Sequence, residues 1–396
     1  MNKLINLPKD LKVYDYIFIG CGLSTATVCT QIPTDKKILI IEKRNHIGGN
    51  IYDYLENNIL VHKYGPHIFH TNDYEVFNFI NKYTKLNDYR NIVEAKIDEK
   101  LIPLPININS IKLLFPNESN DFLNYLRNMF PNRDKITILE LSKIDKYSYV
   151  YETIYKRVFA SYTMKMWNKK VEELDVSVFA RVPIYLNETN TYFTDKYEGM
   201  PIGGYTKMVE KMLNTKNIDL ILNQNIKNII NFKNNKIFIN NEEINVPVIN
   251  CAPLDELFNN KFGQLPYRSL NIKFESLKVN HFQKTAVVNY PEHPNMTRIT
   301  EYKNFYKEIK TNDYSTIISK EYPGEYNQNS IDFTERYYPI PNEAARNSYK
   351  NYIGHCNNIK NLYNLGRLAE YKYINMDQAI KNSLEIAKKI LLRKKC

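Results

Sequence analysis

The residues of this 396-residue chain with the type and spacing to do chemistry begin at Gly20-Cys21-Gly22, a glycine turn between an apolar run and a helical pattern. Glycine at both ends of that turn lets the backbone approach a pyrophosphate at the start of a helix. Glu42 closes the next apolar run, at about the 20-residue spacing where a carboxylate meets ribose hydroxyls. The third position of this dinucleotide fingerprint is Thr25, not Gly or Ala, so the strand–helix contact has to admit a branched side chain. Lys43 and Arg44 follow the acid, and Gly48-Gly49-Asn50 adds a second glycine turn. A second Gly-rich loop suits an extended FAD better than a nicotinamide cofactor, with Leu23 opening the helix and Arg44 near the phosphates. The alternative is a purely structural turn. His62, His67 and His70 stand five and three positions apart, a spacing that matches no standard metal site.

These groups need elements to hold them. Residues 13–19 read as a buried strand, 23–31 as a helix and 37–41 as a second strand. Helical periodicity covers 71–84. Residues 96–102, ended by Pro103 and Pro105, read as a hairpin arm closed by a rigid turn. Apolar spacings of three and four predict several short helices over 109–180, and 181–199 turns to strand character. A glycine turn at Gly203-Gly204 leads into a helix over 206–213, and short β runs follow at 218–222, 236–239 and 246–249. The stretch 267–340 alternates as an antiparallel sheet does. Residues 377–392 place Ile380, Leu384, Ala387 and Leu391 on one stripe of an amphipathic helix. Residues 1–12 read as a flexible leader.

Composition narrows the class. Apolar residues at 43% and charged residues at 24% describe a globular protein and exclude a disordered or collagen-like chain. No apolar run reaches the roughly 18–20 residues of a membrane span, and the opening residues lack the apolar stretch of a secretory signal. Five scattered cysteines without a Cys-x-x-Cys pair suggest neither disulfides nor zinc, and fit a reducing, cytoplasmic setting. The net charge of +11 is spread along the chain, with its densest cluster only Arg393-Lys394-Lys395, so it reads as a solvated surface and not a nucleic-acid face. Tyrosine is abundant at 32, against one Trp.

Blocks along the chain carry a resemblance: YDYIFIGCGL, IEKRNHIGGNIYD, HKYGPHIFHTND, SYTMKMWN, RVPIYLNETNTYFTDKYEGMPIGGYTKMVEKML, FGQLPYRSLNIKFE, MTRITEYKNF, KEYP and LGRLAEYKYINM. In this order the sequence resembles the UDP-galactopyranose mutase family, flavoenzymes that interconvert the six- and five-membered ring forms of UDP-galactose. The resemblance implies an α/β fold: a Rossmann-like FAD-binding domain with a helical bundle domain and an antiparallel β-sheet domain. The expected division is FAD binding by 13–84, 200–262 and 350–396, a helical domain with a mobile arm at 108–180, and a substrate sheet from 85–107, 181–199 and 263–349.

It also implies a mechanism without net redox, in which N5 of reduced FAD displaces UDP to form a flavin–sugar adduct. Arg181 and Arg298 match the arginines that hold the departing diphosphate, whose charge a guanidinium fork complements. Tyr192, Tyr322 and Tyr373 match the tyrosines that donate to it. Tyr162 and Trp167 match the arm over uridine, and Asn91 a position facing the sugar. His67 matches the histidine beside the isoalloxazine. Gly20, Gly22, Leu23, Glu42, Lys43, Arg44, Gly49, Asn50, Arg367 and Met376 complete the expected cofactor set. Asn375 stands where the family usually has aspartate, Pro66 where it has Ala, and Asn168 where it has Gly. The UDP-sugar is the expected partner, with a homodimer and an NADPH or NADH reductant in view. Other UDP-hexoses, N-acetylated or 6-deoxy, are alternative substrates. An amine-oxidase-like flavoenzyme or a non-enzymatic anion binder are alternative classes.

Overall fold

A computed structural model describes residues 3–4, 6–167, 183–307, 309, 314–340 and 342–393. Its centre is a six-stranded sheet in the order Lys3–Leu4, Ile218–Ile221, Ile38–Ile41, Tyr16–Ile19, Val248–Asn250 and Leu362–Asn364, with every neighbouring pair parallel. The runs YIFI and ILII are wholly buried, as strands covered on both faces must be. One face carries the helix Leu23–Cys29, all of whose residues are buried, under the helices Tyr205–Leu213 and Met376–Arg393. The other carries the helix Glu343–Asn357 and a three-stranded antiparallel meander, Ile230–Lys233, Lys236–Ile239 and Glu242–Ile244.

The asparagine-rich composition finds its use in the turns. Asn57-Asn58, Asn234-Asn235 and Asn240-Asn241 all take positive φ in tight connections between antiparallel strands, which asparagine tolerates better than most residues. Asp98-Glu99 does the same between Val93–Ile97 and Lys100–Leu104. That hairpin therefore turns at Asp98-Glu99 and not at its prolines; Pro103 lies inside the returning strand.

A second, seven-stranded sheet runs Tyr338–Pro339, Tyr267–Leu277, Thr316–Glu325, Arg298–Glu301, Val287–Asn289, Val93–Ile97, Lys100–Leu104. It is antiparallel except where Val287–Asn289 lies parallel to Val93–Ile97. Short helices, among them Ile108–Leu114, Ser119–Met129, Ser148–Ile154 and Ser161–Trp167, fill much of the stretch 108–167.

Three local expectations are corrected. The leader is tied down: Lys3–Leu4 pairs with Asp219–Leu220, Leu11 is buried, and its N–H donates to Glu242 Oε2 at 2.8 Å. Tyr197–Gly199, expected with the antiparallel sheet, pairs instead with Phe69–Thr71. The buried stripe of the last helix is Ile380, Ser383, Ala387 and Ile390, because the short Ser383 and Ala387 side chains let it press against Leu23–Cys29.

Candidate active site

Much of the cleft wall begins where a parallel strand ends. Gly20 follows Ile19, Glu42 follows Ile41, Cys251 follows Asn250 and Gly366 comes soon after Asn364, the position where open α/β sheets bind ligands. The cleft spans about 1190 Å3, the solvent in its open mouth included. Its two glycine turns touch. Gly22 bridges Gly48, and a Cβ on Gly49 would lie 3.0 Å from the Gly22 Cα. Side chains are thereby excluded from a surface of backbone amides, which suits a pyrophosphate. Thr25 is accommodated because its hydroxyl donates to the Gly20 carbonyl at 2.7 Å, turning the branched side chain into a brace for the turn.

Glu42 is buried, with Oε2 accepting the Cys21 N–H at 2.6 Å and Oε1 accepting the Arg44 N–H at 2.8 Å. Each oxygen keeps a further lone pair for a ribose hydroxyl. Lys43 lies 3.4 Å from Glu256. Arg44 donates to Asn50 Oδ1 at 3.0 Å, pairs with Glu335 and stacks over Tyr64, while its buried Nε has no partner among the described residues. Leu23, Asn375 and Met376 line the same cleft, as does Arg367, whose Nη2 donates to the Ile374 carbonyl at 2.7 Å. Burial pushes the Cys251 thiol up to about 12, so it stays protonated at neutral pH. A dinucleotide fits these residues: the amide surface admits its phosphates and the orphaned Arg44 Nε is a donor for them.

His67 enters the cleft from the loop after Ile59–His62. Desolvation, aided by His62, Arg367 and Arg298, lowers its pKa to about 3. Its Nδ1–H therefore donates to the Gly65 carbonyl at 2.8 Å, leaving the Nε2 lone pair as an acceptor. Its backbone N–H donates to His62 Nδ1 at 3.1 Å. His62, also held near 3 by burial, is walled in by Tyr205, Tyr302, Phe305 and Tyr306.

A second group of polar residues lies beside the cleft, next to His67 and Arg367. Arg298 sits directly across from Glu321, with Nε 2.7 Å from Oε2 of that buried carboxylate. Tyr192 feels the charge of Arg298 and the phenol of Tyr373, while burial raises its own pKa. Tyr373 stacks on Tyr338 at 5.6 Å, and the Arg367 guanidinium lies 4.9 Å from the Tyr373 ring. Arg298, Tyr192, Tyr373, His67 and Arg367 are thus brought together. Asn91 joins through backbone: its carbonyl accepts the Tyr192 N–H at 2.7 Å, and its side chain accepts from Tyr89.

Tyr322 is not part of this group. Glu321 faces Arg298, so the next residue of the strand points to the opposite side, where Tyr322 packs by Met296, Ile299 and Ile318 under the Lys273 ammonium. Tyr338 stands in the group instead, half-buried and within the field of Arg298. Glu321 and Asn289, the latter in register opposite Arg298, are further residues that reading the sequence missed. Period-2 alternation around Arg298 and Glu321, and the Tyr337-Tyr338-Pro339 block, were the available signals. Arg181 and Asn168 lie outside the described residues, as do the side chains of Tyr162 and Trp167.

Comparison with known proteins agrees with this geometry. A family model described as UDP-galactopyranose mutase matches residues 157–373, and one described as an NAD(P)-binding Rossmann-like domain matches residues 20–83. The UDP-galactopyranose mutase of Mycoplasma pneumoniae is 37% identical over 388 residues, 96% of each chain. The chain belongs to the UDP-galactopyranose mutase family. The Mycoplasma genitalium mutase is 36% identical over 393 residues, with 96% of both chains covered. An Escherichia coli dTDP-fucopyranose mutase is 30% identical, over 94% of this chain and 97% of its own. A crystal structure of reduced UDP-galactopyranose mutase shares the fold at a TM-score of 0.66 and 16% identity, covering 96% of this mutase-family chain and 95% of that one. A putrescine oxidase variant does so at 0.57 and 11%, covering 96% and 99%. Among the described residues no helix is long and apolar enough to cross a membrane.

Proposed function

We propose that the protein interconverts UDP-galactopyranose and UDP-galactofuranose with reduced FAD held in the cleft. The observation that carries this reading is the meeting of Arg298, Tyr192 and Tyr373 with His67 and Arg367 at a dinucleotide cleft. Bound reduced FAD supplies a nucleophilic N5 for the anomeric carbon; everything else is asked of the chain. Gly20, Gly22 and Gly49 admit the pyrophosphate of the cofactor, Arg44 and Asn50 meet it, and Glu42 takes the ribose. Arg367, Met376 and the acceptor Nε2 of His67 orient the ring system.

The departing diphosphate carries about two negative charges, which Arg298, and Arg181 with it, neutralise. Glu321 holds the Arg298 guanidinium in place from behind. Tyr192 and Tyr338 have phenol pKa values raised by burial, so at neutral pH they are O–H donors to phosphate oxygens, and Tyr373 lies alongside. Tyr162 and Trp167 close over the uridine, and Asn91 and Asn375 face the sugar. With the leader and residues 197–199 reassigned to the parallel unit, the domain division set out above is part of this reading: the parallel unit holds the cofactor and the antiparallel sheet the diphosphate. We further propose NADPH or NADH as the reductant, and a cytoplasmic homodimer.

Asn375, together with a dTDP-fucopyranose mutase relative at 30% identity, favours one second reading: ring contraction of a 6-deoxyhexose nucleotide. The test is to incubate dithionite-reduced and oxidised protein with UDP-galactopyranose and with dTDP-fucopyranose and to quantify each furanose. Furanose from the UDP-sugar, with the reduced form only, is the expected result. Preference for the dTDP-sugar selects the second reading. Equal turnover by the oxidised protein would falsify the N5 mechanism.

A further inference from the structure

The segment joining strands Thr316–Glu325 and Tyr338–Pro339 belongs to the antiparallel sheet but ends on the dinucleotide cleft. It is a built loop. The Asn327 N–H donates to the Phe333 carbonyl at 3.0 Å, and Ser330 Oγ accepts the Asp332 and Phe333 N–H groups. The Phe333 ring is seated on Gly324, where an added Cβ would come within 2.3 Å of it. Beyond this anchor Glu335 and Arg336 reach across to the parallel unit. Glu335 pairs with Arg44. The Arg336 guanidinium donates to Glu256 Oε2 at 2.9 Å and Asp255 Oδ2 at 3.0 Å, stacked 4.3 Å from the Tyr326 ring, while its carbonyl accepts from Asn50 Nδ2 at 3.3 Å.

Two features point from this crossing to the ligand. Among the described residues the buried Nε atoms of Arg44 and of Arg336 have no partner, and both residues line the cleft. A buried donor left unpaired is costly, and oxygens of a bound dinucleotide are what the cleft is shaped to bring. In addition, a polar, partly open recess shares Asn225, Glu256 and Arg336 with the cleft and is walled on its other side by Tyr326, Gln328 and Thr334 of this segment. Arg336 therefore stands between the cofactor space and this recess, a polar outlet to solvent.

We propose that residues 326–336 are a clasp on the cofactor, in which Glu335 orients Arg44 toward the phosphates and Arg336 closes the polar outlet. The inference rests on the FAD reading above. Glu335 and Arg336 are positioning residues: they hold donors and an exit in place, and set how long the cofactor stays. Two covalently distant parts of the chain, the parallel unit and the substrate sheet, thereby hold the cofactor jointly.

The test uses holoprotein and follows the rise of free-flavin fluorescence after dilution into an excess of a flavin-scavenging apoprotein. Glu335→Gln, which keeps the shape and removes the charge, is expected to release FAD about tenfold faster, the worth of one charge-assisted hydrogen bond. Arg336→Gln is expected to release it faster still, with Arg336→Lys recovering part of the loss. Circular dichroism on the same samples keeps the comparison among folded proteins, and Glu335→Gln decides if Arg336→Gln fails to fold. Release unchanged or slowed in folded, flavin-loaded Glu335→Gln overturns the clasp alone. A parent protein that takes up no flavin overturns both the clasp and the cofactor reading.

Discussion

Arg298 and Glu321 form one unit with two different sensitivities. Removing the cation by Arg298→Ala leaves a buried carboxylate unpaired, so urea denaturation should register a loss of about 3 kcal/mol. Glu321→Gln keeps the fold but frees the guanidinium to wander, and kcat should fall roughly 10- to 100-fold. Equal kcat for parent and Glu321→Gln would remove that residue from the machinery. Asn375 is a separate question. Its carbonyl accepts the Ala379 N–H at 2.9 Å, a backbone role that aspartate would fill equally well. Asn375→Asp should therefore leave the unfolding midpoint alone while changing the ratio of turnover on UDP- and dTDP-sugars. An unchanged ratio would clear the side chain of any part in sugar choice.

At the scale of elements, the two glycine turns behave differently although both look alike in the sequence. Gly22 has ordinary φ and its nearest neighbour would be 3.9 Å from an added Cβ, so the protein itself tolerates alanine there. Gly49 has φ +57° and a Cβ would meet backbone at 3.0 Å. Gly49→Ala should separate the turns, cost about 1 kcal/mol of stability and lower the flavin content of the purified protein. Gly22→Ala should lose flavin with stability nearly intact, because only the ligand approaches that face. Flavin-to-protein absorbance ratios and melting midpoints for the pair distinguish these outcomes. The strand–turn–helix element was legible from residues 13–42 because each of its parts is local. The hairpin between Val93–Ile97 and Lys100–Leu104 is not legible in the same way, because Pro103 and Pro105 offer the stronger local turn signal while the left-handed φ values belong to Asp98 and Glu99.

The whole molecule carries a pH signature. Buried His62 and half-buried His67 are both held neutral with pKa values near 3, whereas the unfolded chain protonates them near the ordinary value of about 6.5. Below that value the unfolded state binds more protons than the folded one, so stability is complete above about pH 6.5 and is lost as pH falls toward 3. His62→Asn offers Oδ1 to the His67 N–H in place of Nδ1 and cannot be protonated. Its urea midpoint should fall less between pH 7 and pH 4.5 than the parent's. A parallel fall in both proteins would show that other groups drive the acid loss.

By itself the sequence determined the cofactor cradle and the family. Backbone conformation at Gly20, Gly22 and Gly49 depends on near neighbours, and the motif blocks lie in order along the chain. Only the tertiary structure decided which tyrosines face Arg298. Membership of that group depends on strand parity and register between segments far apart in sequence, so Tyr322 is turned away and Tyr338 turned in. The same holds for Glu335 and Arg336. Nothing local marks them as neighbours of Arg44, Asp255 and Glu256; they meet because the antiparallel sheet, once packed on the parallel one, ends its loop over the cleft.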